Sequence, residues 1–284
     1  MKKCLVIGGS GFLGKNLSLN LCKLGHKVTV IDKKKIYLNN VKFVKNNLRN
    51  LNSIRAHLKN NDYVFHLAGI SSLNEALSRP IETVQQNILI TVKILKLCKE
   101  YKVKRFIYAS SIYTVSEQGG FYRASKLASE NYIQEFKKRF GLNYTILRYG
   151  SLYGSGANEE NTINKILANY KKTKKLVYSG NFKNIRSYIN VNDASKATIR
   201  SLNEKYKNKI VLIKGPQKTK VLDLMKVIKD KLKTNTKIIF KNRKDVGHYI
   251  KLPKKIIIKQ GINLKLKNYI SLEKGIQQII KTKN

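Results

Sequence analysis

Apolar positions along this chain fall into two kinds of pattern, short continuous runs and sets recurring at helical spacing. Cys4-Leu5-Val6-Ile7 is of the first kind; Leu13, Leu17, Leu21 and Leu24 are of the second. Val28-Thr29-Val30-Ile31 and Val41-Lys42-Phe43-Val44 read as two further strands. A helix is expected over Leu51 to Lys59, and Tyr63-Val64-Phe65-His66-Leu67 reads as a fourth strand. Val84, Ile88, Val92, Leu95 and Cys98 share one face of a helix predicted over Glu82 to Tyr101. Arg105 to Ala109 is the fifth strand, a helix opens around Tyr122, and Asn143 to Arg148 is the sixth strand. Strand and helix alternate throughout, which predicts a parallel sheet covered on both faces.

The turn after the first strand adds chemistry. Gly8, Gly11 and Gly14 are spaced by three between strand and helix. Gly8 permits the tight turn, Gly11 lets a pyrophosphate approach the backbone, and Gly14 lets helix and strand pack closely. The helix N-terminus, with Phe12 and Leu13, offers N–H groups to phosphates. The second strand ends at Asp32, about 20 residues beyond the turn, where a carboxylate holds the ribose 2′-hydroxyl of an NAD-type dinucleotide. His66-Leu67-Ala68-Gly69 closes the fourth strand, with small residues suited to a backbone passing near a cofactor. His66 itself is expected to be a core histidine hydrogen-bonded to backbone. Asn87, inside a helical pattern, is expected to have a buried partner.

The fifth strand ends at Ser110-Ser111, on the edge that faces the ligand crevice of an open α/β sheet, so Ser111 is placed to meet a substrate. Tyr122 and Lys126, four apart, share a helix face. A nearby ammonium favours the phenolate, which can then serve as general base toward a hydroxyl. The glycine-rich stretch Tyr149 to Gly156 reads as a loop bordering the site and as the first domain boundary. Beyond it a helix is expected over Thr162 to Lys172, then a strand at Leu176 to Tyr178. Arg186 to Asp193 reads as a strand returning toward the sheet, followed by a helix capped near Asn192-Asp193. Ile210 to Ile213, a helix over Val221 to Leu232 and a terminal helix from Leu272 to Lys281 complete the chain. The expected class is α/β, a Rossmann-type doubly wound parallel sheet with a smaller C-terminal α+β lobe. Residues 1–155 form the first domain with 186–205 returning to it; 156–185 and 206–284 form the lobe.

Composition changes this picture little. The 284 residues, 42% of them hydrophobic, suffice for a sizeable core. No run approaches a membrane span, and the charged start leads into the glycine turn rather than a leader. Three cysteines inside apolar segments point to a reducing, cytoplasmic setting. A net charge of +42 arises from 58 Lys+Arg against 16 Asp+Glu. Lysine is spread through every segment with no basic tail, so the charge is read as solvated surface that draws in anionic substrates. The lysine-dense stretch Lys229 to Lys255 is expected to be such an ordered surface.

Together these stations resemble the extended short-chain dehydrogenase/reductases, in the NAD-dependent epimerase/dehydratase branch that acts on nucleotide sugars. The resemblance rests on Gly8, Gly11 and Gly14, Asp32, His66 to Gly69, Pro80 with Asn87, Ser110-Ser111, Tyr122 with Lys126, Leu147-Arg148-Tyr149, and Arg186 to Ile189 with Asp193. It implies NAD as cofactor and a nucleoside-diphosphate sugar as substrate. Ser111, Tyr122 and Lys126 would be catalytic. Gly8, Gly11, Phe12, Leu13, Gly14, Asp32, Leu67, Ala68, Gly69, Asn87, Ser110, Tyr122, Lys126 and Tyr149 would bind the cofactor. Ser111, Tyr122, Ser151 and Arg186 would bind the substrate, the last at its diphosphate. No metal, membrane or specific nucleic acid is implied. A homodimer is implied through the helices Glu82 to Tyr101 and Tyr122 to Phe140.

The chain departs from the family pattern at several positions. The interval from Ser111 to Tyr122 is short for the family. Ile112 and Tyr113 stand where 4,6-dehydratases carry an Asp-Glu pair, Ser151 where Asn is usual, and Asn190 where His is usual. Epimerisation, at C4 of the sugar, is the expected reaction. The alternatives are an NAD(P)H-dependent reductase of a 4-keto nucleotide sugar and a non-enzymatic basic binding protein on the same scaffold.

Overall fold

The computed structural model describes residues 1–48, 52–59, 61–241 and 261–283. Its first half contains β1 (Lys3–Ile7), α1 (Phe12–Lys23), β2 (Lys27–Asp32), β3 (Val41–Lys45), α2 (Asn52–Leu58), β4 (Tyr63–His66), α3 (Leu73–Ser78) and α4 (Pro80–Thr83). A π-helical segment (Val84–Leu89) leads into α5 (Ile90–Glu100), followed by β5 (Arg105–Ser111), α6 (Gly120–Phe140) and β6 (Tyr144–Tyr149). The remainder comprises β7 (Ser151–Tyr153), α7 (Thr162–Thr173), β8 (Leu176–Ser179), β9 (Ile185–Arg186), β10 (Tyr188–Asn190) and α8 (Val191–Arg200). It ends with β11 (Lys209–Ile213), β12 (Thr219–Lys220), α9 (Val221–Lys231), β13 (Ile238–Lys241), β14 (Ile262–Asn263) and α10 (Leu272–Lys283).

Eight parallel strands form the central sheet in the order β3-β2-β1-β4-β5-β6-β11-β14. The chain leaves β1 toward β2 and β3, then crosses to β4 on its other side. That reversal opens a crevice at the carboxyl ends of β1 and β4. Successive strand residues point to opposite faces, so β1 feeds both cores. Leu5 and Ile7 pack with Ile94, Phe106 and Ile133 on one side. Cys4 and Val6 pack with Leu17, Leu21, Phe65 and Ala194 on the other. A third core gathers Ile163, Ile166, Leu176, Leu224, Ile228 and Ile276 beneath the second half of the chain.

The helix expected over Glu82 to Tyr101 is a composite of α4, the π-helical segment and α5. At its centre the Asn87 carbonyl accepts the hydroxyls of Thr91 at 2.6 Å and Ser129 at 2.8 Å. These side chains compete for a carbonyl of the helical ladder, which accounts for the widened turn.

Several expectations are corrected. The segment Arg186 to Asn190 does not join the central sheet: β9 pairs antiparallel with β12, and β10 pairs parallel with β7. It is α8 that lies against α1, where Asn20 Nδ2 donates to Asn192 Oδ1 at 3.0 Å. The α8 cap is Asn190, whose side chain accepts from the Asn192 N–H at 2.9 Å, not Asn192-Asp193. Residues 206–284 are not all lobe, because β11 pairs with β6 and β14 pairs with β11 at the sheet edge. The stretch Tyr149 to Gly156, expected as loop, contains β7. Of the lysine-dense stretch, residues 242–255 lie outside the described residues. Cys4 and Cys98 are buried free thiols and Cys22 is half-buried. Among the described residues no helix is long and apolar enough to cross a membrane.

Candidate active site

A cavity of about 1560 Å³ opens at the carboxyl ends of β1 and β4. The glycine turn forms one end. Gly8 has φ +85, and a Cβ there would lie 2.5 Å from the Ala68 nitrogen. A Cβ on Gly14 would lie 2.4 Å from the Gly8 carbonyl oxygen, so strand and helix approach as closely as backbone allows. A Cβ on Gly11 would meet only the Gly8 carbonyl oxygen, at 3.3 Å, leaving the cavity side of the turn open. The first-turn N–H groups of α1 have no intrahelical acceptor and are available to an anion.

Asp32 is fixed beside this turn. Its Oδ2 accepts the Ser10 N–H at 3.0 Å, and its Oδ1 accepts the Lys34 N–H at 3.1 Å. Ser10 Oγ in turn donates to the Lys34 carbonyl at 2.5 Å. Two backbone donors thus hold the carboxylate at the cavity wall with lone pairs left for ribose hydroxyls.

Ser111, Tyr122 and Lys126 line the same cavity from the end of β5 and the first turns of α6. Gly119, with φ +116, starts α6, which begins at Gly120, just ahead of Tyr122. The Ser111 hydroxyl hydrogen-bonds to Tyr122, and burial pushes the Tyr122 phenol up while that bond pulls it down. Lys126 Nζ donates to the Ala109 carbonyl at 2.9 Å and stands 6.0 Å from the centre of the Tyr122 ring. Burial lowers the Lys126 ammonium to about 8, opposed by Glu130. The expected lowering of the phenol by Lys126 is therefore corrected: the ammonium is bonded to a carbonyl, and burial dominates the phenol.

The cavity brings together Gly8, Gly11, Phe12, Leu13, Gly14, Asp32, Leu67, Ala68, Gly69 and Ser110 with Tyr149, Ser151 and Arg186. Three of the expected site residues are used differently. Asn87 does not line the cavity; it clamps the loop after β4, accepting the Ile70 N–H at 2.8 Å and donating to the Ile70 carbonyl at 3.0 Å and Ser125 Oγ at 2.9 Å. Ser110 Oγ turns away from the cavity to Glu130 Oε1 at 2.5 Å. The Tyr149 hydroxyl hydrogen-bonds to Thr198 Oγ1 of α8 at 2.7 Å, so the tyrosine offers its ring rather than its hydroxyl. His66 is a core histidine as expected, but its Nε2 partner is the Thr91 hydroxyl at 2.9 Å rather than backbone, and burial lowers it to about 3.

Sequence reasoning missed the support behind the site. Glu130 accepts Arg148 Nε at 2.9 Å and Arg148 Nη2 at 2.5 Å, and both side chains are buried. The pair ties α6 to β6, and Ser110 adds β5. Glu130 follows Lys126 by one helical turn, which was the available signal. Tyr108, whose ring centre lies 4.8 Å from Lys126 Nζ, reads from the sequence only as a strand residue.

A glycine turn at a helix N-terminus, a carboxylate anchored at the end of β2 and a Ser/Tyr/Lys group on one cavity define a Rossmann-type dinucleotide enzyme, and the residues present fit such a cofactor. The chain belongs to the NAD-dependent epimerase/dehydratase family, whose model matches residues 4–213. The cofactor of this family is NAD. A provisionally named UDP-glucose 4-epimerase of Methanocaldococcus jannaschii is 26% identical, covering 97% of this chain and 96% of that one. The UDP-N-acetylglucosamine 4-epimerase of Methanobrevibacter ruminantium M1, solved with UDP-N-acetylmuramic acid, superposes with a TM-score of 0.83 at 24% identity, covering 99% of each chain. The UDP-glucuronic acid 4-epimerase of Bacillus cereus, solved with UDP-glucuronic acid and NAD, gives a TM-score of 0.84 at 21% identity, covering 99% of this chain and 100% of that one.

Proposed function

We propose that this protein is an NAD-dependent 4-epimerase of UDP-sugars. The observation that carries the reading is the convergence of Ser111, Tyr122 and Lys126 on the cavity that the glycine turn closes. The names of the relatives support a 4-epimerase over a reductase. Elimination of water is disfavoured, because Ile112 and Tyr113 provide no acid–base pair after Ser111.

The glycine turn, Asp32 and the Leu67 to Gly69 loop would hold NAD, which when bound would supply reversible oxidation at C4 of the sugar. Tyr122 takes the proton from the 4-hydroxyl and later returns it. Ser111 hydrogen-bonds the same sugar oxygen and keeps it at the phenol. The Lys126 ammonium, held by the Ala109 carbonyl, would meet the nicotinamide ribose, and the Ser111 hydroxyl is the group that favours the phenolate form of Tyr122. Arg186 binds the substrate diphosphate, and Ser151 stands beside the sugar.

Proton NMR tests the reading. UDP-glucose, UDP-N-acetylglucosamine and UDP-glucuronic acid are each incubated with the protein and NAD. The C4 epimer of at least one should appear and reach equilibrium, and Tyr122→Phe should form none. A 4-keto-6-deoxy product, or no change in any of the three, would sink it.

By the same reading the enzyme is a cytoplasmic homodimer that supplies nucleotide sugars to cell-surface polysaccharide synthesis. Its pairing surface is the exposed face of α5 and α6, where Val92, Phe136 and Phe140, rimmed by Lys93, Lys96 and Lys99, line a groove of about 300 Å³. Sedimentation of the protein and of Phe140→Asp checks the dimer: the first should sediment at twice the chain mass and the second as a monomer.

A further inference from the structure

Lys126 is a buried cation, only 5% exposed, and a buried ammonium needs groups that favour its charge. The structure offers few. Its Nζ donates to the Ala109 carbonyl at 2.9 Å. Glu130, one turn along α6, is bound bidentate by Arg148 of β6, and much of its charge is spent there. From β4, His66 is neutral and its ring adds no negative charge. Tyr122, on the same helix, has its phenol raised by burial. Two rings lie near Nζ, Tyr122 at 6.0 Å and, nearer, Tyr108 of β5. Tyr108 lies outside the cavity lining, and its ring presents a face to Nζ at 4.8 Å from the ring centre.

That ring is itself held in place. Phe106 stacks on it at 6.4 Å with planes 16° apart, and His66 lies against it at 5.8 Å. Burial keeps the phenol neutral. A neutral aromatic face carries negative quadrupole density, and its attraction for an ammonium grows when water is excluded.

We propose that Tyr108 is a positioning residue whose ring face, together with the Ala109 carbonyl, keeps Lys126 charged and aimed into the site from behind. The proposal rests on the reading of Lys126 as the cation of the site, the one that would meet the nicotinamide ribose. It concerns the ring and not the hydroxyl, so Tyr108→Phe retains the effect. Replacing that phenylalanine by its tetrafluoro analogue keeps the shape and removes most of the face potential, so loss of folding does not confuse the result.

Trace acetylation across a pH series, read by peptide mass spectrometry, reports the titration of Lys126 alone among the many lysines and needs neither cofactor nor turnover. The midpoint should be the same in wild type and Tyr108→Phe, and lower by about one pH unit in the tetrafluoro variant, a tenfold change in the protonation constant. The alkaline limb of kcat should move with it while KM for the UDP-sugar stays within twofold. Equal midpoints for the phenylalanine and tetrafluoro variants would overturn the proposal. A shifted midpoint in a protein that epimerises no sugar would leave Tyr108 as the holder of Lys126 and contradict only the functional reading.

Discussion

At the scale of single residues the site depends on which protons are held and which are moved. Tyr122→Phe removes the group that exchanges a proton with the sugar. Turnover should fall by at least about a hundredfold while NAD binding, measured by calorimetry, is kept. Equal loss of both would make Tyr122 a structural residue. His66 gives a pH dependence whose sign is fixed by burial. Its folded value is lowered from 6.5 to about 3, so between those values the unfolded chain binds a proton that the folded chain does not. Its contribution to stability is therefore intact above about 6.5 and is lost as pH falls toward 3, at up to about 1.4 kcal/mol per pH unit. Urea midpoints from pH 7 to 4 should fall more steeply for wild type than for His66→Gln. Parallel curves would show that His66 does not titrate in this way. The glycines, Asp32, Tyr122 and Lys126 were legible in sequence because each is tied to its neighbours by local spacing. That Asn87 has a buried partner was legible from its place inside a helical pattern; that the partner is the Ile70 backbone was not, because the two are close only after folding.

At the scale of elements, α6 carries both Tyr122 and Lys126, and its seat decides their aim. The buried Glu130–Arg148 pair and the Ser110 hydroxyl fasten it to β6 and β5. Removing one partner leaves a buried charge uncompensated, which costs about 3–5 kcal/mol. Glu130→Gln should therefore lower the urea midpoint strongly, and Glu130→Leu combined with Arg148→Met should recover much of the loss. An additive double variant would mean the two side chains do not act as a pair. The helix expected over Glu82 to Tyr101 was legible as a helix, but its buried face was not: Leu95 and Cys98 are buried as the spacing predicts, whereas Val84 is exposed and Thr83, Asn87 and Thr91 are buried in the first half. The widened turn was not legible either, because it involves hydroxyls from Thr91 and from Ser129 on another helix.

At the scale of the molecule, strand–helix alternation was enough to foresee the doubly wound sheet. It was not enough to assign every strand: Ile210 to Ile213 announces a buried strand, and nothing in an apolar run names the sheet it enters. In the structure it extends the central sheet beside β6. The charge of +42 acts at this scale too. Binding to a random DNA duplex, followed by fluorescence anisotropy, should be evident near 50 mM salt and lost by about 200 mM. Binding that survives physiological salt would point to a dedicated nucleic-acid surface. The central claim is a reversible oxidation confined to C4 of a UDP-sugar, and isotope retention tests it most directly. A UDP-sugar deuterated at C4, mixed with unlabelled substrate, is turned over in ordinary water and the epimer is read by mass spectrometry. Deuterium should remain at C4 of the epimer in full, with no NADH accumulating. Deuterium lost to water, or NADH formed in step with product, would contradict it.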